Sequence, residues 1–180
     1  MTWKRLFAIS AGLILFATPV NAGFRSAQLS VNGLSCPFCA FGIEKKLLDV
    51  PGVLDVEVFL DEGRVALTFQ GDSEATVSDL EQAVRKAGFE LSGLSLETDG
   101  EVQHPGQRDV RLVVHPGMTF RLGEETDGRD HAVSEAALQR MRQKTASDGQ
   151  TWIVEGTVAE RDAQEPRLLV HKIDPVSDAP

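Results

Sequence analysis

Gly33-Leu34-Ser35-Cys36-Pro37-Phe38-Cys39 holds both cysteines of the 180-residue chain and lies where a strand pattern gives way to a helix pattern. A proline ring excludes the helical region for the residue before it, so Cys36 is expected in an extended, N-cap conformation. Pro37 then takes the first helical position, where a missing N–H costs nothing. Cys39 falls in the first turn, and both sulfurs lie beside the free N–H groups of a helix start. That position favours the thiolate, the form of cysteine that binds metal.

Outward from the loop, the pattern repeats in both directions. Ala27, Leu29 and Val31 alternate with Ser26, Gln28, Ser30 and Asn32, the period of a strand with one buried face. Ala40, Ile43, Leu47 and Val50 recur at helical spacing until Pro51-Gly52 stops the run. Leu54, Val56, Val58 and Leu60 then alternate, Asp61-Glu62-Gly63 turns, and Val65, Leu67 and Phe69 form the second arm of a hairpin. Ser73 and Thr76 are candidate N-caps, Thr76 with Asp79 as a capping box. The helix that follows buries Val77, Leu80, Ala83, Val84 and Ala87 and ends at Gly88. Leu91, Leu94 and Leu96 read as a last strand whose phase slips by one residue, which predicts a bulge near Gly93. The order is strand, helix, strand, strand, helix, strand.

With that order, residues 26–97 resemble a heavy-metal-associated domain, the ferredoxin-like module of copper chaperones, metal-pumping P-type ATPases and the periplasmic mercury-binding protein. The resemblance rests on Gly33, Cys36 and Cys39 of the Gly-x-x-Cys-x-x-Cys loop, on Pro51-Gly52-Val53, and on Ala87-Gly88-Phe89. It implies that Cys36 and Cys39 are the metal ligands. Leu34 and Ser35 stand where the family usually has Met and Thr. Pro37 and Phe38 are larger than the usual residues between the cysteines, and Phe89 replaces a frequent Tyr.

Met1 to Ala22 opens with Lys4 and Arg5, continues with the apolar run Leu6 to Ala17 and closes Val20-Asn21-Ala22. A membrane-spanning helix needs about 20 apolar residues, so the run is too short, and the stretch reads as a signal peptide cleaved after Ala22. Export places the cysteines in an oxidising compartment, where the pair can close into a disulfide. The formal net charge is −9, and loss of Lys4 and Arg5 with the leader leaves −11. Residues 25–99 carry −7 and residues 100–180 carry −4. Such a surface repels phosphate backbones and anionic lipids, which argues against nucleic-acid partners.

Thr98 to Arg108 is polar, contains Gly100, Pro105 and Gly106, and reads as a linker. Beyond it Val110, Leu112 and Val114 alternate, Pro116-Gly117 turns, and Met118, Phe120 and Leu122 alternate again. Glu124 to Arg129 reads as a polar loop, Ala132 to Thr145 as a helix, Trp152 to Val158 as a strand, Leu168, Val170 and Ile173 as the last strand, and Asp174 to Pro180 as a frayed tail. The fold class is therefore α+β, a ferredoxin-like βαββαβ metal-binding domain followed by a small, mostly β domain of OB-like type. The expected organisation is a signal peptide at 1–22, the heavy-metal-associated domain at 23–98, a linker at 99–108, a small β-rich domain of unknown role at 109–174 and a disordered tail at 175–180.

Function follows from the sulfurs. Two thiolates with no adjacent Asp or His suit a soft d10 ion, Cu(I) first, with Hg(II) or Ag(I) able to use the same pair, whereas zinc wants four ligands. His104, His115, His131 and His171 all lie in the second half with Met118, but no H-x-x-x-H spacing joins them. An auxiliary copper site using some of these side chains is weighed against His104 and His115 as residues before proline in turns and Met118 as a core residue, and the second reading is preferred. A thioredoxin-like oxidoreductase also places C-x-x-C at a helix start, yet here the helix stops after about three turns. No G-x-S-x-G, H-E-x-x-H or Gly-rich phosphate loop occurs. The expectation is a non-enzymatic, periplasmic or secreted soft-metal carrier that meets a metal-transporting ATPase or another thiolate-bearing acceptor. The alternatives are a thiol-disulfide oxidoreductase and a metal-occupancy sensor or adaptor acting through the second half.

Overall fold

The alternation that starts at Phe24 and the two helical runs fold as their periods demand. In a computed structural model of the chain, residues 22–104, 109–115, 117–126, 129–132, 139, 143 and 151–176 are described. The first half contains β1 (Phe24–Asn32), α1 (Pro37–Leu48), β2 (Val53–Phe59), a 3-10 turn (Leu60–Glu62), β3 (Arg64–Phe69), α2 (Val77–Lys86) and β4 (Glu90–Gln103). Its strands pair antiparallel in the order β2-β3-β1-β4. Ile43 and Leu47 of α1 join Val77, Leu80, Ala83 and Val84 of α2 and the inner residues of the strands in one core. Thr76 caps α2 as expected: its hydroxyl accepts from the Asp79 N–H, and the Asp79 carboxylate accepts from the Thr76 N–H.

The second half contains β5 (Arg111–His115), β6 (Met118–Thr126), β7 (Arg129–Ala132), β8 (Thr151–Ala159) and β9 (Arg167–Pro175). Both edges of β4 are used. Phe24 to Asn32 and then β5 occupy one edge, while Ser95 to Glu101 pair with β8 on the other. From β5 the ladder passes to β6, from β6 in parallel to β9, and from β9 back to β8, so β4-β5-β6-β9-β8 close into a barrel-like ring. Leu112, Phe120, Trp152, Val154 and Leu168 are buried there. The core of this ring is continuous with that of the first half. The Phe24 ring meets Phe69 edge-on at 5.6 Å between centroids and Phe120 at 6.3 Å.

Polar ties reinforce the junction. Arg25 pairs with the buried Asp99 at 2.6 Å, and the Thr98 hydroxyl donates to the Gly23 carbonyl at 3.0 Å. Arg161, from the turn after β8, pairs with Glu81 of α2 at 3.1 Å and donates to the Leu91 carbonyl at 2.9 Å.

Several expectations are corrected. Residues 99–103, expected to begin a linker, are the second half of β4. Gly100 is there for closeness: a Cβ at that position would lie 2.7 Å from the Val113 carbonyl oxygen on β5. The polar loop expected at 124–129 is largely strand, because β6 runs to Thr126 and β7 pairs back on it. The last strand continues to Pro175, which pairs with Trp152, so Asp174 and Pro175, expected in the frayed tail, are strand. Leu54 is 60% exposed, because the ladder to β3 slips between Val53 and Asp55 and turns it outward. The bulge expected near Gly93 is present, with Ser30 opposite Gly93 and Val31 opposite Leu91. The leader at 1–21, the chain at 105–108, nearly all of the helix expected over 132–145, and 177–180 lie outside the described residues.

Candidate metal centre

The loop is built as the proline rule requires. Cys36 is the N-cap of α1 with φ −132° and ψ 147°, Pro37 opens the helix, and the Cys39 N–H donates to Cys36 Sγ at 3.1 Å. Upstream, Gly33 turns the chain with φ 80°, a value L side chains rarely adopt, and Leu34 is pegged in the core at 3% exposure. Cys36 and Cys39 are joined as a disulfide with their Cα atoms 5.1 Å apart. Both residues are half-buried, and Cys39 packs against the core.

The rim around this pair comes from three other segments. The Val31 N–H donates to the Gly63 carbonyl at 2.8 Å, which fixes the β2–β3 turn beside the loop. In that turn the Arg64 guanidinium, by hydrogen bond and by charge, holds the exposed Glu62 carboxyl below its ordinary value. Asn32 faces Glu90 on β4, so the turn through Gly88 and Phe89 lies at the same end of the sheet. The exposed face of α1 supplies Phe38 and Phe41, which are 91% and 69% exposed. Phe41 was not among the candidate residues, although the burial of Ile43 and Leu47 on one face of a 3.6-residue helix puts position 41 on the other.

Among the described residues, no histidine joins the two cysteines in a metal-holding group. His115 is engaged at both ring nitrogens: the Gly117 N–H donates to Nδ1 at 3.2 Å, and Nε2 lies 3.3 Å from the Ala75 carbonyl oxygen. Met118 is buried at 6% exposure, and His171 Nε2 lies 3.1 Å from the Thr157 hydroxyl. The side chain of His131 lies outside the described residues. Among the described residues, no group of three or more His, Cys, Asp or Glu is arranged to hold a metal ion. What the chain offers a soft cation is thus a pair of sulfurs. In the disulfide they have no charge to donate, and a two-electron reduction turns them into adjacent thiolates. Among the described residues no helix is long and apolar enough to cross a membrane.

Comparison with known proteins places the loop in a family. The heavy-metal-associated domain model matches residues 28–90. The mercuric transport protein periplasmic component of Acinetobacter calcoaceticus is 35% identical over 89 residues, which cover 49% of this chain and 96% of that relative. A copper-exporting P-type ATPase of Bacillus subtilis (strain 168) is 32% identical over 100 residues, covering 53% of this chain and 12% of the ATPase. The crystal structure of oxidized MerP from Ralstonia metallidurans CH34 is 28% identical, covers 39% of this chain and 96% of its own, and superposes with a TM-score of 0.36. By its similarity to relatives that it covers almost end to end, the chain belongs to the heavy-metal-associated domain family.

Proposed function

We propose that this protein is an exported, non-catalytic carrier of a soft metal ion, held by the thiolates of Cys36 and Cys39 once their disulfide is reduced. The observation that carries the reading is the placement of both sulfurs side by side at the start of α1, half-exposed and ringed by turns. Two sulfurs, with no third ligand among the described residues, suit a d10 ion of low coordination number, so Cu(I) is the first choice, with Hg(II) and Ag(I) as alternatives. The relatives named for mercuric transport and copper export support that class of ion. The periplasmic relatives and the leader-like stretch at 1–22 support export. A half-exposed pair leaves coordination positions open to a partner's sulfurs, which suits transfer to a metal-transporting ATPase or another thiolate-bearing acceptor. The second half we assign to the OB type on its five-stranded ring, in which β9 pairs between β6 and β8 out of chain order.

The test is a Cu(I) titration of the reduced protein beside a Cys36→Ser/Cys39→Ser variant. The parent is expected to take up one tight equivalent that the variant lacks, with the two circular dichroism spectra superimposable. Equal uptake by both would refute the assignment.

A further inference from the structure

Asn32 ends β1 and Gly33 makes the turn that follows, so the chain enters the cysteine loop through an Asn-Gly pair. Asparagine is a thermolabile residue, because the peptide nitrogen that follows it can attack its side-chain amide carbon. The attack needs a side chain free to swing, an N–H that no acceptor holds, and room on the glycine side. Asn32 and Gly33 are both exposed. Among the described residues neither the Asn32 side chain nor the Gly33 N–H forms a hydrogen bond. A Cβ built on Gly33 would meet nothing within 4 Å. Asp99-Gly100 has the opposite surroundings. An aspartate before glycine can close the same ring, but the Asp99 carboxylate is held by Arg25 at 2.6 Å, and a Cβ on Gly100 would lie 2.7 Å from the Val113 carbonyl oxygen. Of these two pairs, the fold locks one and leaves the other open.

We propose that Asn32 is a site of spontaneous conversion to isoaspartate, which loosens the entry to the Cys36–Cys39 loop as the protein ages. The Gly33 nitrogen loses its proton and bonds to Asn32 Cγ, and the side-chain amide leaves as ammonia, closing a cyclic imide. Water then opens the imide at either carbonyl. Opening at Cγ gives an ordinary aspartate, and opening at the main-chain carbonyl leaves the chain running through the side chain as isoaspartate. A water is consumed and an ammonia released, with no oxidation or reduction. Both products place a carboxylate at position 32, across the β1–β4 ladder from the exposed Glu90, where like charges repel. Isoaspartate also lengthens the main chain between two fixed points, the Val31 N–H on the Gly63 carbonyl at 2.8 Å and Leu34 at 3% exposure. Cys36 lies just beyond the second point, so the extra length is taken up at the loop. The carrier reading above plays no part in this chemistry.

The experiment ages the full chain in warm, mildly alkaline buffer, once folded and once in urea. Conversion is read at intervals by peptide mass and by enzymatic methylation of isoaspartate. In the folded parent isoaspartate should accumulate at residue 32 and not at residue 99, whereas in urea it should appear at both. Asn32→Gln, whose side chain is too long to close the same ring readily, should stay unconverted at residue 32 in either state. The converted parent, separated by its added negative charge, should exchange the Val31 amide hydrogen several-fold faster than the unconverted protein, as the strand end frays. A folded parent in which residue 32 is as protected as residue 99 would overturn the assignment of the site. A converted chain whose Val31 amide exchanges at the parent's rate would overturn the loosening of the loop.

Discussion

Gly100→Ala decides between two accounts of the middle of the chain, because they differ in sign. In a flexible linker, replacing glycine by alanine restricts the unfolded chain and stabilises by about 0.4–1 kcal/mol. In the structure a Cβ at Gly100 would lie 2.7 Å from the Val113 carbonyl oxygen and 2.9 Å from Leu112 Cδ1, so β4 and β5 must part to admit it. The nearest atom is backbone in a paired strand, since Glu101 and Val113 are partners in the ladder, and it has little freedom to yield. Overpacking of this kind costs about 1–3 kcal/mol. For a chain of this size that is a fall in melting temperature of about 2–12 °C. Urea unfolding followed by the fluorescence of Trp152, which is 2% exposed inside the ring, reads the effect where it arises. A variant as stable as the parent, or more so, would refute the shared-strand account of residues 99–103.

Two further outcomes follow from the same packing. Leu47→Ala removes a fully buried side chain of α1 and should destabilise by about 2–5 kcal/mol in urea unfolding while leaving Cu(I) stoichiometry unchanged below the transition. A fragment of residues 99–180 lacks Ser95 to Thr98, four of the seven β4 positions that pair with β8, and should show no near-ultraviolet circular dichroism from Trp152; a folded fragment would contradict the ring closure.

What could be read in the sequence was what is local. The N-cap at Cys36 follows from Pro37 alone, and the capping box of Thr76 and Asp79 lies within four residues. The strand period of β1 and the bulge near Gly93 need only the spacing of apolar side chains. The errors fall where a residue's role is set by a distant partner. Asp99, Gly100 and Glu101 look like a loop until Arg25 is placed against the first and Val113 against the second. Leu54 looks like a core residue until the slip in the β2–β3 ladder turns it outward. His115 looks like a spare imidazole until its ring meets Ala75, forty residues earlier. The parallel pairing of β6 with β9 has no local signature, so ring closure was beyond the reach of periodicity.

The same division explains why metal chemistry can sit at this loop without threatening the fold. β4 is paired on both edges from Ser95 to Thr98, and α2 is tied to the second half by Arg161 at Glu81, while His115 reaches the Ala75 carbonyl just ahead of its N-cap. The loop hangs from this frame by Leu34 and by the buried face of α1, with Cys39 packed at the edge of the same core. Opening the disulfide therefore removes no core contact of Ile43 or Leu47, and the N–H of Cys39 that faces Cys36 Sγ remains in place to stabilise a charged sulfur. The turns at Gly63 and Phe89 beside the pair are likewise held by backbone bonds of their own, Val31 N–H to the Gly63 carbonyl at 2.8 Å and Phe89 N–H to the Val84 carbonyl at 3.1 Å, and not by the sulfurs.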